Sequence, residues 1–196
     1  MSGVERSGER DAALMAMVPH VAQAGWTVAT LRAGAGTDAD LLFPGGAVDM
    51  VEAWTDLADR QMEADAAGAD FTGLGVSGRV RAVMALRFER QRPYKEAVRQ
   101  GLAVLAMRGR GVLGTRMTWR TVDSVWHAAG DTSVDFGWYT KRAILAGVYG
   151  ATLLFWLQDG SEGDAATMAF LDRRLAGVGR IGRMRARVTG MVRRRT

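Results

Sequence analysis

The chain has 196 residues, a formal net charge of +5 and no cysteine. This length is sufficient for one domain with its own hydrophobic core, and the lack of cysteine excludes both a disulfide framework and a thiolate metal site. The positive charge is local, because residues 173–196 contain nine arginines and no acid while the other residues carry a net charge of −4.

The first ten residues do not resemble a targeting segment. They contain no apolar stretch, and they mix Glu5 and Glu9 with Arg6 and Arg10. A secretory signal needs an apolar region, and a mitochondrial presequence is poor in acids. We therefore expect neither kind of leader here.

Apolar residues recur at helical spacing along almost the whole chain, and no run alternates in the manner of a strand. The sequence therefore predicts an all-α bundle of about ten helices. The longest predicted helices are Ala47–Ala66, Arg79–Gln91, Tyr94–Met107, Thr115–Ala129, Asp135–Gln158 and Asp164–Ala176. Glycine and polar clusters predict the breaks, at Ala33–Gly36, Gly45-Gly46, Gly68–Gly78, Gly109–Gly114 and Asp159–Gly163. Thr132 or Ser133, just before Asp135, is a plausible cap of the 135–158 helix.

In the N-terminal region, residues 1–45, helices are predicted from Glu9 to Ala24 and from the residues after Trp26 to Arg32, followed by a short helix at Thr37–Leu42. This three-helix unit resembles the helix-turn-helix of TetR-type regulators, with Thr37–Leu42 as the candidate recognition helix. A DNA reader needs basic side chains for the phosphates, yet residues 1–56 contain three arginines and eight acids. We therefore interpret this unit as a degenerate, structural helix-turn-helix.

No catalytic constellation is visible in the sequence. The two histidines, His20 and His127, are far apart, and His127 is best explained as a hydrogen-bonded packing residue. The pattern Gly73-x-Gly75-x-x-Gly78 follows no strand, so it is a connecting loop and not a dinucleotide site. Asp131 and Asp135 are explained by helix capping or by ion pairs with Lys141 or Arg142. We predict a non-enzymatic protein with no catalytic residue, no metal and no cofactor.

The predicted 135–158 helix contains an uncharged run, Ala143–Leu157, that is too short to span a bilayer, which requires about 20 residues. The large side chains of this run are distributed around nearly the whole circumference of the helix, and Gly147 and Gly150 lie in the middle of the run. One interpretation is a central buried helix whose glycines let neighbours approach closely. The other is a helix that lines an apolar cavity, with the glycines leaving room for a ligand.

The pattern DxSxDFxWYTKRAxLAxVYxATxLFWLxDxS resembles the central signature of the ubiquinone-biosynthesis accessory lipid-binding proteins, the Coq-nine family. The similarity extends over about Thr121–Arg174, and it departs at Lys141, where the family usually has a second arginine. The resemblance implies a TetR-like fold and a pocket for isoprenoid lipids in the body, residues 46–176. The residues expected to line that pocket are Met117, Trp126, Ile144, Leu145, Val148, Tyr149, Thr152, Phe155, Trp156 and Met168.

The polar and aromatic start of the same helix is the second expected site. By resemblance, Trp138 and Tyr139 belong to the surface that docks the demethoxyubiquinone hydroxylase, a di-iron monooxygenase. Large aromatic residues beside cations are typical interface anchors, so Lys141 and Arg142 are included in this partner-binding set. Without the resemblance, both aromatic residues would be interpreted as core residues.

The C-terminal tail, residues 177–196, has the pattern of a basic amphipathic helix that lies in an anionic membrane interface. Its expected membrane-binding residues are Arg180, Ile181, Arg183, Met184, Arg187, Val188 and Met191. The alternative is a frayed and solvated basic terminus. The family likewise uses a C-terminal amphipathic helix at the membrane.

The sequence thus predicts a non-enzymatic, lipid-binding accessory protein that presents isoprenoid quinone intermediates of ubiquinone biosynthesis to the hydroxylase. We expect a bacterial cytoplasmic protein that is peripheral on the inner membrane, does not bind nucleic acid, and forms a homodimer by resemblance to TetR-type folds. The alternative is a TetR-type, ligand-responsive transcriptional repressor that uses the same fold and pocket.

Overall fold

Helices account for all the regular secondary structure in the part of the chain that the computed structural model describes, residues 4–107, 109–131 and 137–177. The α-helices are α1 (Gly8–Ala24), α2 (Val28–Ala35), α3 (Ala47–Ala67), α4 (Val76–Gln91), α5 (Lys95–Ala106), α6 (Gly111–Ala128) and α7 (Gly137–Trp156), and helical residues 165–177 form α8. Short 3₁₀ turns lie at Ala39–Leu42, Arg92–Tyr94 and Glu162–Asp164. The all-α prediction is confirmed.

Two predicted helix starts were wrong. Helix α4 begins at Val76 and not at Arg79, and α6 begins at Gly111 and not at Thr115. Gly78 and Gly114 therefore lie inside helices, although we expected both to be in breaks. A glycine costs about 1 kcal/mol of helix propensity, and this weak preference is overridden because α4 and α6 pack against α3 and against each other.

The N-terminal unit begins with two well-capped helices. The Ser7 hydroxyl accepts a hydrogen bond from the Arg10 amide, and the Thr27 hydroxyl accepts one from the Thr30 amide. The expected recognition helix is only a 3₁₀ turn of four residues, Ala39–Leu42. Within this turn Asp40 binds the guanidinium of Arg32 at 2.6 Å.

The buried side chains form two hydrophobic clusters. The first joins α1, α2 and the N-terminal part of α3, and it includes Leu14, Met50 and Trp54. The second joins the C-terminal part of α3 with α4, α6, α7 and α8, and it includes Phe88 and Trp156. Helix α3 contributes to both clusters, so it connects the N-terminal unit to the body. The domain boundaries at residues 45 and 176 stay predictions.

None of the helices in the described ranges is long and apolar enough to cross a membrane. All seven residues of the predicted membrane-binding set lie outside these ranges, as do Thr132, Ser133 and Asp135.

Candidate functional site

A cavity of about 290 Å³ lies between α3, α4, α5, α6 and α7. Most of its wall is apolar, and its lining side chains include Val51, Trp54, Ala58, Phe88, Val98, Leu102, Leu105, Met117, Tyr149, Leu153 and Trp156. Pockets for small molecules usually have volumes of about 300–1,000 Å³. The space is therefore large enough for one end of an extended ligand.

The glycines beside this cavity are not the ones expected from the sequence. Gly101 of α5 and Gly114 of α6 line it, and a Cβ atom on Gly101 would lie 3.4 Å from Val51 Cγ1 and 3.5 Å from Trp26 Nε1. Gly147 and Gly150 of α7 do not line it, and a Cβ atom on either would meet no atom within 4 Å. Within the described residues, the expected close packing of these glycines against another helix was wrong, while their role in leaving space for a ligand stays a prediction.

The residues expected to bind lipid divide among three environments. Met117, Tyr149 and Trp156 line the large cavity. Trp126, Ile144, Leu145 and Val148 line a separate cavity of about 110 Å³ between α4, α6, α7 and α8. Thr152, Phe155 and Met168 lie outside the linings of both cavities. The α7 residues divide by their position along the helix, since Ile144, Leu145 and Val148 come before Tyr149 and Trp156.

The three residues outside both cavities have structural contacts. Thr152 is fully buried, and its hydroxyl donates a hydrogen bond to the Val148 carbonyl at 2.7 Å. Phe155 stacks on Phe170 of α8 with 4.6 Å between ring centroids. Met168 packs against the second hydrophobic cluster.

A buried polar group forms one side of the large cavity. Arg87 of α4 donates through Nη1 to Asp59 at 2.5 Å and through Nε to the Tyr149 hydroxyl at 3.2 Å. Thr121 of α6 donates to the other oxygen of Asp59 at 3.1 Å. Burial raises the pKa of Asp59, although Arg87 acts in the opposite direction. Burial alone would lower the pKa of Arg87, but Asp59 and Tyr149 more than offset this and raise it.

Sequence reasoning missed this polar side. Arg87 and Gln91 lie on α4, upstream of the region that carries the family signature, and their pattern is that of an ordinary amphipathic helix. Their partners are far away in sequence, since Asp59 and Tyr149 are 28 and 62 residues from Arg87. No local signal could have indicated these pairings.

The expected partner-binding residues form a cluster at the start of α7. The Arg142 guanidinium lies 3.8 Å from the centroid of the Trp138 ring, and the Tyr139 ring meets Trp138 edge-on at 4.6 Å. Tyr139 is 67% exposed, whereas Arg142 is only 4% exposed and donates to Asp123 at 2.6 Å. Lys141 lies 3.2 Å from Asp131, so the ion pair expected for Asp131 is confirmed. Tyr139 therefore offers a partner far more surface than Arg142 does.

His127 is not the packing residue that we expected. It is exposed near the C-terminal end of α6. That position needs no buried hydrogen bond, and it is favourable for a cationic side chain because the helix dipole is negative there.

Comparison with known proteins agrees with the family and the fold that the sequence signature indicated. Residues 112–182 match the COQ9 family. The chain is 41% identical to "Ubiquinone biosynthesis protein COQ9, mitochondrial" of Rattus norvegicus over 83 residues, which are 42% of this chain and 27% of the rat protein. It is 31% identical to the Drosophila melanogaster protein of the same name over 188 residues, covering 91% of this chain and 57% of the fly protein.

The chain therefore spans about a quarter of the rat relative and somewhat over half of the fly relative. Among solved structures, it is similar to the "TetR transcriptional regulator from Nitrosomonas europaea ATCC 19718", with a TM-score of 0.70 and 24% identity. That match covers 87% of this chain and 97% of the regulator. At this level of identity the similarity shows a shared TetR-like fold, and it carries no function with it.

Proposed function

Because the chain belongs to the COQ9 family, we propose that it is a non-enzymatic, lipid-binding accessory protein of ubiquinone biosynthesis. In this proposal it binds isoprenoid quinone intermediates at the membrane. It then presents them to the demethoxyubiquinone hydroxylase.

The observation that carries the proposal is the largely apolar cavity of about 290 Å³. It is walled on one side by Met117, Tyr149, Leu153 and Trp156, which all lie within the region that matches the family. Exposing an isoprenoid chain to water costs about 0.8 kcal/mol per methylene-sized group. A protein that shields part of such a chain lowers the free energy needed to bring its ring out of the bilayer.

The exposed Tyr139, backed by the half-buried Trp138, supports a docking role for the start of α7. Tyrosine and tryptophan at the centre of an interface supply large contact areas at little cost in side-chain entropy. The hydroxylase is the partner that the family membership suggests for this surface.

An exposed apolar stripe on α7 supports the homodimer in this scheme. Ile144 is 41% exposed and Leu154 is 58% exposed, and the exposed Gly147 lies between them on the same face. Large apolar side chains that share one exposed face are typical of surfaces that become covered. A Leu154→Glu variant is expected to lower the fraction of dimer in sedimentation velocity, and an unchanged distribution would remove this support.

The membrane contact is proposed from the sequence of the tail. Removing residues 181–196 is expected to abolish flotation of the protein with liposomes that contain anionic lipid. Flotation that persists after this removal would contradict the proposed role of the tail.

The experiment that tests the proposed function first is mass spectrometry of the organic extract from protein purified out of a ubiquinone-producing bacterium. A polyprenyl quinone intermediate that co-purifies with the protein is the expected result. A lipid-free extract from well-folded protein would contradict lipid carriage, and it would favour a purely structural role beside the hydroxylase.

A further inference from the structure

Two buried hydrogen-bond donors in the wall of the large cavity lack partners. Trp54 of α3 is 4% exposed and Gln91 of α4 is 5% exposed, and both line the cavity. Among the residues that the structure describes, none accepts a hydrogen bond from Trp54 Nε1 or Gln91 Nε2. A buried donor without a partner costs about 1–3 kcal/mol, so its retention calls for an explanation.

Two other buried tryptophans line the same cavity, and their indole groups have acceptors within the protein. Trp26 Nε1 donates to the Ala97 carbonyl at 2.9 Å, and Trp156 Nε1 donates to Asp164 at 3.1 Å. Trp54 is equally buried but has an aromatic neighbour, Tyr94, at 5.4 Å between ring centroids. Of the three tryptophans among the described residues of this lining, only Trp54 has an unused indole donor.

The polar side chains of the cavity favour a ligand that accepts hydrogen bonds. Gln91 lies one helical turn after Arg87, so the two side chains share a face of α4. The Tyr149 hydroxyl already accepts a hydrogen bond from Arg87. The unused groups of Trp54 and Gln91 are both N–H donors, so an oxygen acceptor of a ligand is the complementary group.

The charge balance of the cavity favours a neutral acceptor over an anion. Among the described residues that line it, Arg87 alone is charged, and Asp59 neutralises it at 2.5 Å. A carboxylate brought into this wall would lose its hydration without gaining an unpaired cation. A carbonyl oxygen loses less hydration free energy on burial than a carboxylate does, and hydrogen bonds from two donors would compensate that loss.

We propose that the cavity receives the oxygen-bearing ring of its ligand, and that Trp54 and Gln91 bind a neutral ring oxygen such as a quinone carbonyl. This inference rests on the proposed function, since it takes the cavity to be a ligand site. The volume of about 290 Å³ accommodates one end of the molecule, so the isoprenoid tail leaves the cavity toward the surface. Handover to an enzyme then requires the ring to leave the cavity.

The test compares three probes on the full chain by calorimetric titration: decylubiquinone, n-decylbenzene and palmitate. The first two share an apolar chain, but only the quinone carries acceptor oxygens, and palmitate carries an anionic end. We expect the quinone to bind about 100-fold more tightly than decylbenzene, at about tenfold for each donor. Palmitate is expected to bind no more tightly than decylbenzene.

Three variants locate the effect. Gln91→Met removes one donor while nearly keeping the side-chain volume, and it is expected to weaken quinone binding about tenfold without changing decylbenzene binding. Trp54→Phe removes the other donor but leaves a smaller side chain, so it is expected to lower the preference for the quinone over decylbenzene about tenfold. Gln158→Met is the matched control, because Gln158 is exposed and lines neither cavity. This control is expected to leave all three affinities unchanged.

Thermal melting of the ligand-free variants separates recognition from packing. Since the donors are unpaired without ligand, Gln91→Met is expected to keep or raise the melting temperature while weakening quinone binding. A variant that melts earlier and binds both neutral probes equally less well would show a packing role and overturn the inference.

The remaining outcomes distinguish this inference from the proposed function. Equal binding of decylubiquinone and decylbenzene to the unmodified protein would overturn ring recognition and leave lipid binding intact. If palmitate bound more tightly than the quinone, this would contradict the proposal that the ligand's acceptor group is neutral. Binding of none of the probes would contradict the proposed function itself.

Discussion

Each end of α7 has a tryptophan, a cationic side chain beside its ring and a carboxylate, but the two ends differ in their exposure to solvent. At the C-terminal end, Trp156 is fully buried, Lys95 lies 4.9 Å from its ring centroid, and Asp164 accepts from its indole. At the N-terminal end, Trp138 carries Arg142 over its ring and the exposed Tyr139 at its edge.

The two ends of α7 differ in whether the carboxylate is buried or exposed. Asp164 is 3% exposed and receives hydrogen bonds from Arg92, Lys95 and Trp156 at 2.8–3.1 Å, so it connects the 3₁₀ turn Arg92–Tyr94 to α5 and α7. Asp123, which binds Arg142, is exposed. We infer that the C-terminal cluster holds the fold and that the N-terminal cluster leaves an aromatic surface for a partner.

The largest expected effect is on stability at the C-terminal end. Asp164→Asn is expected to lower the free energy of unfolding by about 3 kcal/mol, because it removes a buried carboxylate that compensates two cations. Asparagine tolerates the positive φ of 58° at this position, so the backbone adds little strain. Urea unfolding followed by circular dichroism measures the loss.

The matched control for that variant is Asp172→Asn. Asp172 also pairs with an arginine, Arg81 at 2.7 Å, but its side chain is 51% exposed. An exposed pair contributes about 0–1 kcal/mol, so this variant should unfold almost like the unmodified protein. Equal losses in the two variants would contradict the structural role that we assign to the C-terminal cluster.

The same carboxylate predicts how stability depends on pH. Burial alone would raise the pKa of Asp164, but hydrogen bonds from Lys95, Arg92 and Trp156 outweigh burial and lower it. A carboxyl group whose pKa is lower in the folded state stabilises the fold above its unfolded value of about 3.9, and this contribution is lost as the pH falls through the folded-state pKa.

The measurement is the difference in unfolding free energy between the unmodified protein and Asp164→Asn, from pH 7 down to pH 3. The difference is expected to stay constant down to about pH 5 and to shrink below about pH 4. A difference that grows on acidification would show that Asp164 has a raised pKa, contrary to the geometry.

A smaller effect, on binding and not on folding, is expected at the N-terminal end. Tyr139→Ser should weaken capture of the hydroxylase about tenfold or more, as for an aromatic anchor in an interface, and change the free energy of unfolding by less than about 0.5 kcal/mol. Titration of the purified hydroxylase onto immobilised protein measures the affinity, with lipid content checked in parallel. Unchanged affinity would remove Tyr139 from the docking surface.

The contrast between the two ends also shows what could be predicted from the sequence. The apolar spacing of the uncharged run Ala143–Leu157 correctly predicted a helix, and the signature that contains it indicated the family. The local sequence pattern could not assign the residues of that helix to one cavity or the other. The assignment depends on which side chains of α3, α4 and α5 lie opposite each residue. Trp54, Arg87 and Gln91 come from those helices, outside the region of strong resemblance, so the polar side of the candidate site was not predictable.

The smallest expected effect is that of Arg142→Lys, which separates the stacking of Arg142 on Trp138 from its ion pair with Asp123. Lysine keeps the charge and a bond to Asp123, but it loses the planar stacking over Trp138 at 3.8 Å. A stacked, largely buried arginine contributes about 1 kcal/mol more than an ammonium group can replace. Arg174→Lys is the control, since Arg174 is exposed and lies 4.8 Å from the Phe170 centroid. If both variants unfold alike, Arg142 does not orient Trp138, and the docking surface would depend on Tyr139 alone.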